Sequence, residues 1–76
     1  MHKSIRDVLD ERIKQDTSWG GQTHDDKHSD EDWDEFIVEY AEANSPRTIN
    51  LKFRQRMVAI AALALAAIES RDRKYP

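Results

Sequence analysis

The sequence predicts an all-α domain of three helices, and three observations lead to that prediction. Apolar residues recur at helical spacing in two segments, residues 57–68 form an unbroken apolar run that is half alanine, and no segment alternates as a β-strand does. The chain has 76 residues and no cysteine. We therefore expect a single domain over residues 1–76, without disulfides or a thiolate metal site.

The first helix is predicted over residues 4–16. Ser4 followed by Asp7 fits a variant of the capping box that begins many helices. The apolar stripe predicted to face the core consists of Ile5, Val8, Leu9 and Ile13. Residues 17–29 contain two adjacent glycines and no apolar period, so they are expected to form a long polar loop that Trp19 anchors to the core.

The second helix is predicted over residues 30–43. Ser29 and Asp32 repeat the capping signal, and an acidic first turn suits the positive end of a helix dipole. The predicted core stripe of this helix consists of Trp33, Phe36, Ile37, Tyr40 and Ala41. Asn44-Ser45-Pro46 is expected to end it.

The third helix is predicted over residues 49–73, with basic residues at its negative end. Helical projection predicts a broad core face of Phe53, Met57, Ile60, Ala61, Ala64, Leu65 and Ile68. The other side carries Ala59, Ala62 and Ala66, with Leu63 at one flank. This alanine side either lies under the first helix and the Trp19 loop or contacts another subunit with Leu63 as a knob. Because so short a chain buries little surface, we expect an oligomeric helical bundle.

Charge is distributed unevenly along the chain. Residues 25–42 hold nine carboxylates and one lysine, whereas residues 47–76 hold seven basic and two acidic residues. This polarity suits docking to another surface, while a net charge of −3 does not favour direct nucleic-acid binding. The acidic segment could imitate DNA phosphates, but a solvated helix start is the preferred interpretation.

The hydropathy pattern predicts a protein of the cytoplasm without a membrane partner. The apolar run is shorter than the roughly 18 residues that cross a bilayer, and the amino terminus lacks a signal-peptide core. The absence of cysteine fits a reducing compartment.

The segment His24-Asp25-Asp26-Lys27-His28 is the densest group of ligand-type side chains. His24, Asp26 and His28 are candidate ligands for a divalent metal such as Mg²⁺, Mn²⁺ or Zn²⁺. An EF-hand is excluded because the glycine and the final glutamate of that loop are missing. The alternative is that these side chains cap the second helix and bond the loop backbone.

Aromatic and basic side chains near this segment predict a binding site for a nucleotide-like ligand. Trp19 and Trp33 flank the segment and could stack a base, and the planar guanidinium groups of Arg54 or Arg56 could hold a phosphate. The complete candidate ligand set is Trp19, His24, Asp25, Asp26, His28, Trp33, Arg54 and Arg56. The alternative is that the tryptophans are core residues and the arginines form ion pairs at the rim of the bundle.

Four carboxylates form a second candidate site. The series Glu39-x-x-Glu42 and Glu69-x-x-Asp72 resembles the signature of all-α nucleotide pyrophosphohydrolases related to MazG and the dimeric dUTPases. The resemblance implies a magnesium ion held against a triphosphate by Glu39, Glu42, Glu69 and Asp72. Helical projection, however, places Glu39 and Glu42 opposite the apolar stripe of the second helix.

The pattern W-G-G-x-x-H-D-D-x-H, followed by an alanine-rich helix that ends in I-E-S-x-D-R-K, resembles a group of short tailed-phage proteins. The resemblance covers about residues 5–74 and implies an accessory protein of the infected bacterial cytoplasm that binds a host protein or a small molecule.

Three functional hypotheses follow. The leading one is a non-enzymatic accessory protein that inhibits a host enzyme or defence component or captures a nucleotide-like ligand. Its rival is a minimal metal-dependent pyrophosphohydrolase, and the third is a purely structural oligomer.

Overall fold

A computed structural model describes residues 2–76 and contains four α-helices, with no strand among those residues. They are α1 (Lys3–Trp19), α2 (Gly21–Asp25), α3 (Asp30–Ala41) and α4 (Phe53–Lys74). The all-α prediction is confirmed. The predicted number of helices is wrong, because α2 forms inside the segment expected to be a loop.

The first helix begins and ends differently from its prediction. Its N-cap is His2, which makes no side-chain capping bond, so Ser4 lies inside the helix and the predicted capping box is absent. The helix continues to Trp19 because the polar residues Asp16–Ser18 are compatible with helix. It ends at Gly20, whose φ of 96° is left-handed and whose N–H bonds Asp16 O at 3.1 Å.

α3, which was predicted as the second helix, begins at the expected residue. Ser29 Oγ accepts a hydrogen bond from the Asp32 N–H at 3.2 Å, and the Asp32 carboxylate accepts one from the Ser29 N–H at 3.0 Å. This reciprocal pair is the capping box that the spacing of Ser29 and Asp32 predicts.

The last helix begins at Phe53 instead of residue 49, because residues 42–52 form a series of turns. Thr48 lies fully buried in these turns, and its hydroxyl bonds Glu42 O and Ser45 Oγ. Ser45 Oγ in turn donates to Glu39 O at 3.1 Å. The hydroxyls thus bond carbonyl groups at the end of α3, which stabilises a connection rather than a further helical turn.

α1 and α3 both pack against α4, and α2 joins them at the end of α4. Arg71 bonds Asp30 at the start of α3 at 3.1 Å, whereas Arg56 bonds Ala41 O at the end of α3 at 2.9 Å. α3 and α4 therefore run antiparallel. The molecule measures 35 × 30 × 18 Å, and its smallest dimension corresponds to two helix layers.

The core lies between Trp33, Leu63 and Ala66, with further partly buried side chains around it. Those neighbours are Trp19, Phe36, Ile37, Tyr40 and Ala67. The predicted core stripe of α3 is therefore confirmed at most of its positions, although Ala41 is exposed.

The predicted core face of α4 is wrong. The buried residues of this helix are Ala59, Ala62, Leu63, Ala66 and Ser70. Phe53, Met57 and Ile68, which were expected in the core, are 60%, 37% and 58% exposed. Small side chains admit the close approach of neighbouring helices, so the alanine side receives α1 and α3, and the large side chains point outward.

This arrangement decides between the two interpretations of the alanine side. α1 and α3 together cover it, and Leu63 is completely buried within the chain's own core. Leu63 is therefore not a knob between subunits.

The apolar stripe of α1 that was predicted to face the core does not do so. Ile5, Leu9 and Ile13 are 52%, 38% and 64% exposed, and the buried side chains of α1 are Arg12 and Gln15. The reason is a buried cluster of charges around Arg12, which turns the polar edge of α1 inward.

Within residues 2–76, no helix combines the length and the apolar composition needed to span a bilayer.

Candidate functional site

The segment predicted to be a polar loop is a tight helical connection. Gly20 and Gly21 both have positive φ, at 96° and 67°, and they turn the chain sharply between α1 and α2. A Cβ on Gly20 would lie 3.3 Å from the Cβ of His24, which leaves little room there for another residue. α2 and the following turn then bring His24 and His28 back toward the core.

An aromatic pocket of about 290 Å³ lies between α1, α2 and α3. Its lining is Trp19, His24, Asp25, His28, Trp33, Phe36, Tyr40 and Arg47. Five of these residues, Trp19, His24, Asp25, His28 and Trp33, belong to the candidate ligand set predicted from the sequence. Most of the lining is aromatic, with one carboxylate and one guanidinium as charged groups.

The rings in the pocket meet edge to face. The His28 ring lies 5.2 Å from Trp33 and 5.0 Å from Phe36, each nearly perpendicular to it. Trp33 and Phe36 stand 6.0 Å apart in the same way. Edge-to-face contacts of this kind hold aromatic rings in fixed orientations. The pocket wall is therefore rigid on the α3 side.

His24 and His28 form a hydrogen-bonded pair. Their Nε2 atoms lie 3.2 Å apart, so one ring must supply the N–H and the other the lone pair. The pair therefore requires at least one neutral imidazole. The second nitrogen of His28, Nδ1, lies 3.8 Å from the Asp32 carboxylate.

Asp25 is the buried charge of the pocket, with 4% of its surface exposed. Its Oδ2 accepts a hydrogen bond from Arg12 Nη2 at 3.2 Å. Burial raises the pKa of Asp25 above its ordinary value, and the charge of Arg12 offsets only part of that effect. A buried acceptor of this kind binds an N–H donor strongly because little water competes for it.

Arg12 lies at the centre of what we call the Arg12 cluster, which consists of Arg12, Asp16, Asp25 and Glu69. Its guanidinium bonds the carboxylates of Asp16 and Asp25 and, at 3.2 Å, that of Glu69. This side chain joins α1, α2 and α4 through charged hydrogen bonds. It also fixes the position of Asp25 in the wall of the pocket.

Asp26 points away from the pocket, toward α4. Its carboxylate lies 2.7 Å from Arg73 Nη2 and 2.9 Å from Ser70 Oγ. The hydrogen bonds from Arg73 lower the pKa of Asp26, and the Ser70 hydroxyl adds to that effect. Asp26 is thus a structural anchor of the α2 turn, in contrast to its predicted role in the ligand site.

The candidate metal ligands do not come together. His24 and His28 are paired, but Asp26 is held by Arg73. Across residues 2–76, no group of three or more His, Cys, Asp or Glu side chains has metal-binding geometry. Zinc sites take three or four protein ligands, so the two imidazoles do not fit one by themselves.

The four carboxylates of the second candidate site lie at opposite ends of the α3–α4 pair. Glu39 pairs with Arg47 at 3.3 Å near the start of α4, whereas Glu69 bonds Arg12 near its end. Since α3 and α4 are antiparallel, the two carboxylate pairs are separated by roughly 20 Å along α4, at about 1.5 Å per residue. One magnesium ion cannot contact both pairs within the chain.

The predicted arginines also lie outside the aromatic pocket. Arg54 pairs with Asp7 of α1 at 2.9 Å. Arg56 donates to the carbonyls of Tyr40 and Ala41 and so closes the end of α3. These contacts agree with the alternative prediction that the arginines are partners at the rim of the bundle.

Three lining residues were not in the predicted ligand set. Phe36 and Tyr40 were predicted as core residues, and they serve both as core and as pocket wall. Arg47 carries no local signal, because its position depends on the buried hydroxyl contacts of residues 42–52. Only the folded connection brings its guanidinium to the edge of the pocket.

Comparison of the chain with protein-family models, with curated proteins and with solved structures found no match.

Proposed function

We propose that this chain is a small binding protein, of the phage accessory type that its motifs resemble, which captures a planar nucleotide-like ligand. The observation that supports the proposal best is the aromatic pocket, where a buried carboxylate lies beside aromatic rings. The phage setting rests on the W-G-G-x-x-H-D-D-x-H pattern and the alanine-rich helix.

The lining of the pocket fits the chemistry of a nucleobase. The rings of Trp19, Phe36 and Tyr40 offer apolar surface for a flat heterocycle, and stacking of a base on such rings contributes about 1–3 kcal/mol. Arg12 occupies Oδ2 of Asp25, which leaves Oδ1 as the acceptor for an N–H of the ligand. An amino or imino N–H, which each of the four common nucleobases presents, can donate to this oxygen.

The size of the pocket limits the ligand. At about 290 Å³ it is at the lower end of the range for small-molecule sites, roughly 300–1,000 Å³. It therefore suits a base or a nucleoside, with any phosphate outside the aromatic walls. Arg47 is half-exposed at the pocket edge, where its guanidinium could reach that phosphate.

The pyrophosphohydrolase hypothesis receives no support from the positions of its carboxylates. Glu69 is engaged with Arg12, and Glu39 with Arg47, at the two ends of α4. We therefore propose binding without turnover: nucleoside triphosphates incubated with the protein and Mg²⁺ should release no pyrophosphate. Release that is lost in Glu69→Gln would support the enzymatic hypothesis instead.

Tryptophan fluorescence provides the binding test, because Trp19 and Trp33 line the pocket. Adenosine, guanosine, cytidine, uridine and their monophosphates are titrated into the wild-type protein. We expect saturable quenching by compounds whose base donates an N–H to Asp25. Absence of a saturable signal with all eight compounds would refute the proposal.

Two variants assign the contacts. Asp25→Asn should weaken binding about 10-fold or more, since a hydrogen bond to a charged group contributes roughly 1.5–3 kcal/mol. Arg47→Gln should weaken binding of the monophosphates and leave the nucleosides unaffected. Asp34→Asn is the matched control, because Asp34 is an exposed carboxylate outside the pocket lining. Circular dichroism of each variant confirms that the helices persist.

A further inference from the structure

An apolar stripe runs along the outer face of α4, opposite the face that packs on α1 and α3. It consists of Phe53, Met57, Ala61, Ala64 and Ile68. All but Ala64 are exposed, and Ala64 is half-buried. The unbroken stripe on the longest helix is unusual, because a helix at the surface of a small domain normally presents polar residues to water.

The spacing of the stripe is symmetric. From Phe53 to Asp72 the steps are four, four, three, four and four residues, and the midpoint falls between Ala61 and Ala64. Two copies of α4 packed antiparallel about this midpoint place Met57 of each copy against Ile68 of the other. The alanines then meet at the two-fold axis, where small side chains permit close helix approach.

Charges at the two ends of the stripe complement this antiparallel arrangement. Arg54 and Asp72 project from the same flank of the outer face, 18 residues apart, which is five helical turns. In the antiparallel pair Arg54 of one copy, which also pairs with Asp7 of its own chain, lies beside Asp72 of the other, and this contact occurs twice. A parallel pair would instead place like charges together.

The exposed apolar area of the stripe fits the apolar centre of a small interface. Phe53, Met57 and Ile68 on α4 are 60%, 37% and 58% exposed. At about 100 Å² each this amounts to roughly 300 Å² of apolar side chain per copy, within the range for the largest patch on a monomer. A standard interface buries about 800 Å² per partner, so we expect a weak dimer.

We infer that a second copy of this chain covers the outer face of α4, in an antiparallel two-fold dimer centred on Ala61 and Ala64. This dimer differs from an assembly through the alanine side, which the chain buries within itself. Because the aromatic pocket lies between α1, α2 and α3, the dimer forms independently of ligand binding.

The mass in solution tests the association. The chain has a mass of 8.9 kDa, and light scattering or sedimentation equilibrium of the wild type should give twice that mass. Met57→Glu with Ile68→Glu should return the mass to that of one chain with unchanged helix content. Val38→Glu is the matched control, since Val38 is 55% exposed on α3 and should leave the dimer intact. A wild-type monomer at the highest attainable concentration would overturn the inference.

Single cysteines test the geometry, because the chain has none of its own. Ala64→Cys lies next to the two-fold axis and should form an intermolecular disulfide on mild oxidation. Met57→Cys should not, since the antiparallel arrangement separates its two copies by about 16 Å along the helices. Cross-linking at Met57→Cys would show a parallel arrangement and contradict the proposal.

Discussion

At the scale of single residues, Arg12 has the most contacts with charged groups. Its side chain is nearly buried and bonds carboxylates on α1, α2 and α4. A buried ion pair gives little net stability compared with an apolar replacement of both partners, but loss of one partner leaves the other charge uncompensated. Asp25, which is 4% exposed, would be the charge left without its guanidinium.

Arg12→Met should therefore lower the free energy of unfolding by about 3–5 kcal/mol, a large part of the stability of a small domain. Chemical denaturation measures the change. Arg6→Met is the control, because Arg6 is exposed on the same helix, and it should shift stability by less than about 0.5 kcal/mol. If Arg12→Met lowers the free energy of unfolding no more than the control does, Asp25 can be buried without its guanidinium partner at little cost in stability.

Single carboxyl groups also determine how the stability of the fold depends on pH in the acid range. The hydrogen bonds from Arg73 lower the pKa of Asp26 in the folded protein. A lowered pKa stabilises the fold above the ordinary carboxyl value of about 3.9, and this stabilisation is lost as the pH falls through the folded value. Asp25, whose pKa burial raises, has the opposite effect, since its ionised form disfavours folding.

We expect Asp26→Asn to be less stable than the wild type at neutral pH. The difference should shrink as the pH falls below about 4 and vanish once Asp26 is protonated in both the folded and unfolded states. Urea denaturation across this pH range measures it. A difference that does not change with pH would mean that the Arg73 contact contributes through packing and not through charge.

At the scale of helices and connections, the beginnings of α1 and α3 show what a capping motif requires. Ser4-x-x-Asp7 and Ser29-x-x-Asp32 have the same spacing, yet only the second forms a capping box. Ser29 follows a turn that leaves its backbone extended, as an N-cap must be. Ser4 lies in a chain that is already helical from Lys3, so the Asp7 N–H that its hydroxyl would cap already bonds within the helix.

The two serines therefore make a matched pair of substitutions. Ser29→Ala should lower the free energy of unfolding by about 1 kcal/mol through loss of the cap. Ser4→Ala should be neutral or slightly stabilising, since alanine is the better helix former inside a helix. Thermal unfolding of the two variants compares them directly, and equal losses would contradict the structural assignment of the caps.

The connection between α3 and α4 depends on buried hydroxyls. Thr48 and Ser45 bond each other and the carbonyls at the end of α3, and both are buried. Sequence patterns place a turn at Asn44-Ser45-Pro46 but carry no signal that it continues to Lys52. This connection also shapes the aromatic pocket, because it places Arg47 at the pocket edge.

At the scale of the whole molecule, polar residues occupy positions that a periodicity argument assigns to apolar ones. Arg12 and Gln15 are the buried residues of α1, while Leu9 and Ile13 are exposed. α4 likewise turns its alanines inward and its large side chains outward. The apolar face that the fold leaves uncovered is what leads us to the antiparallel dimer.

The sequence by itself determined the helical class, the position of α3 and its capping box, and most of the pocket residues around His24. These features depend on short-range signals, such as capping spacing, glycine pairs and apolar periodicity, which act within one or two helical turns. Tertiary structure alone decided which faces of α1 and α4 are buried, where α4 begins, and that Arg47 joins the pocket. Those outcomes depend on the charges around Arg12 and on helix approach at the alanines, which are contacts between segments far apart in the chain.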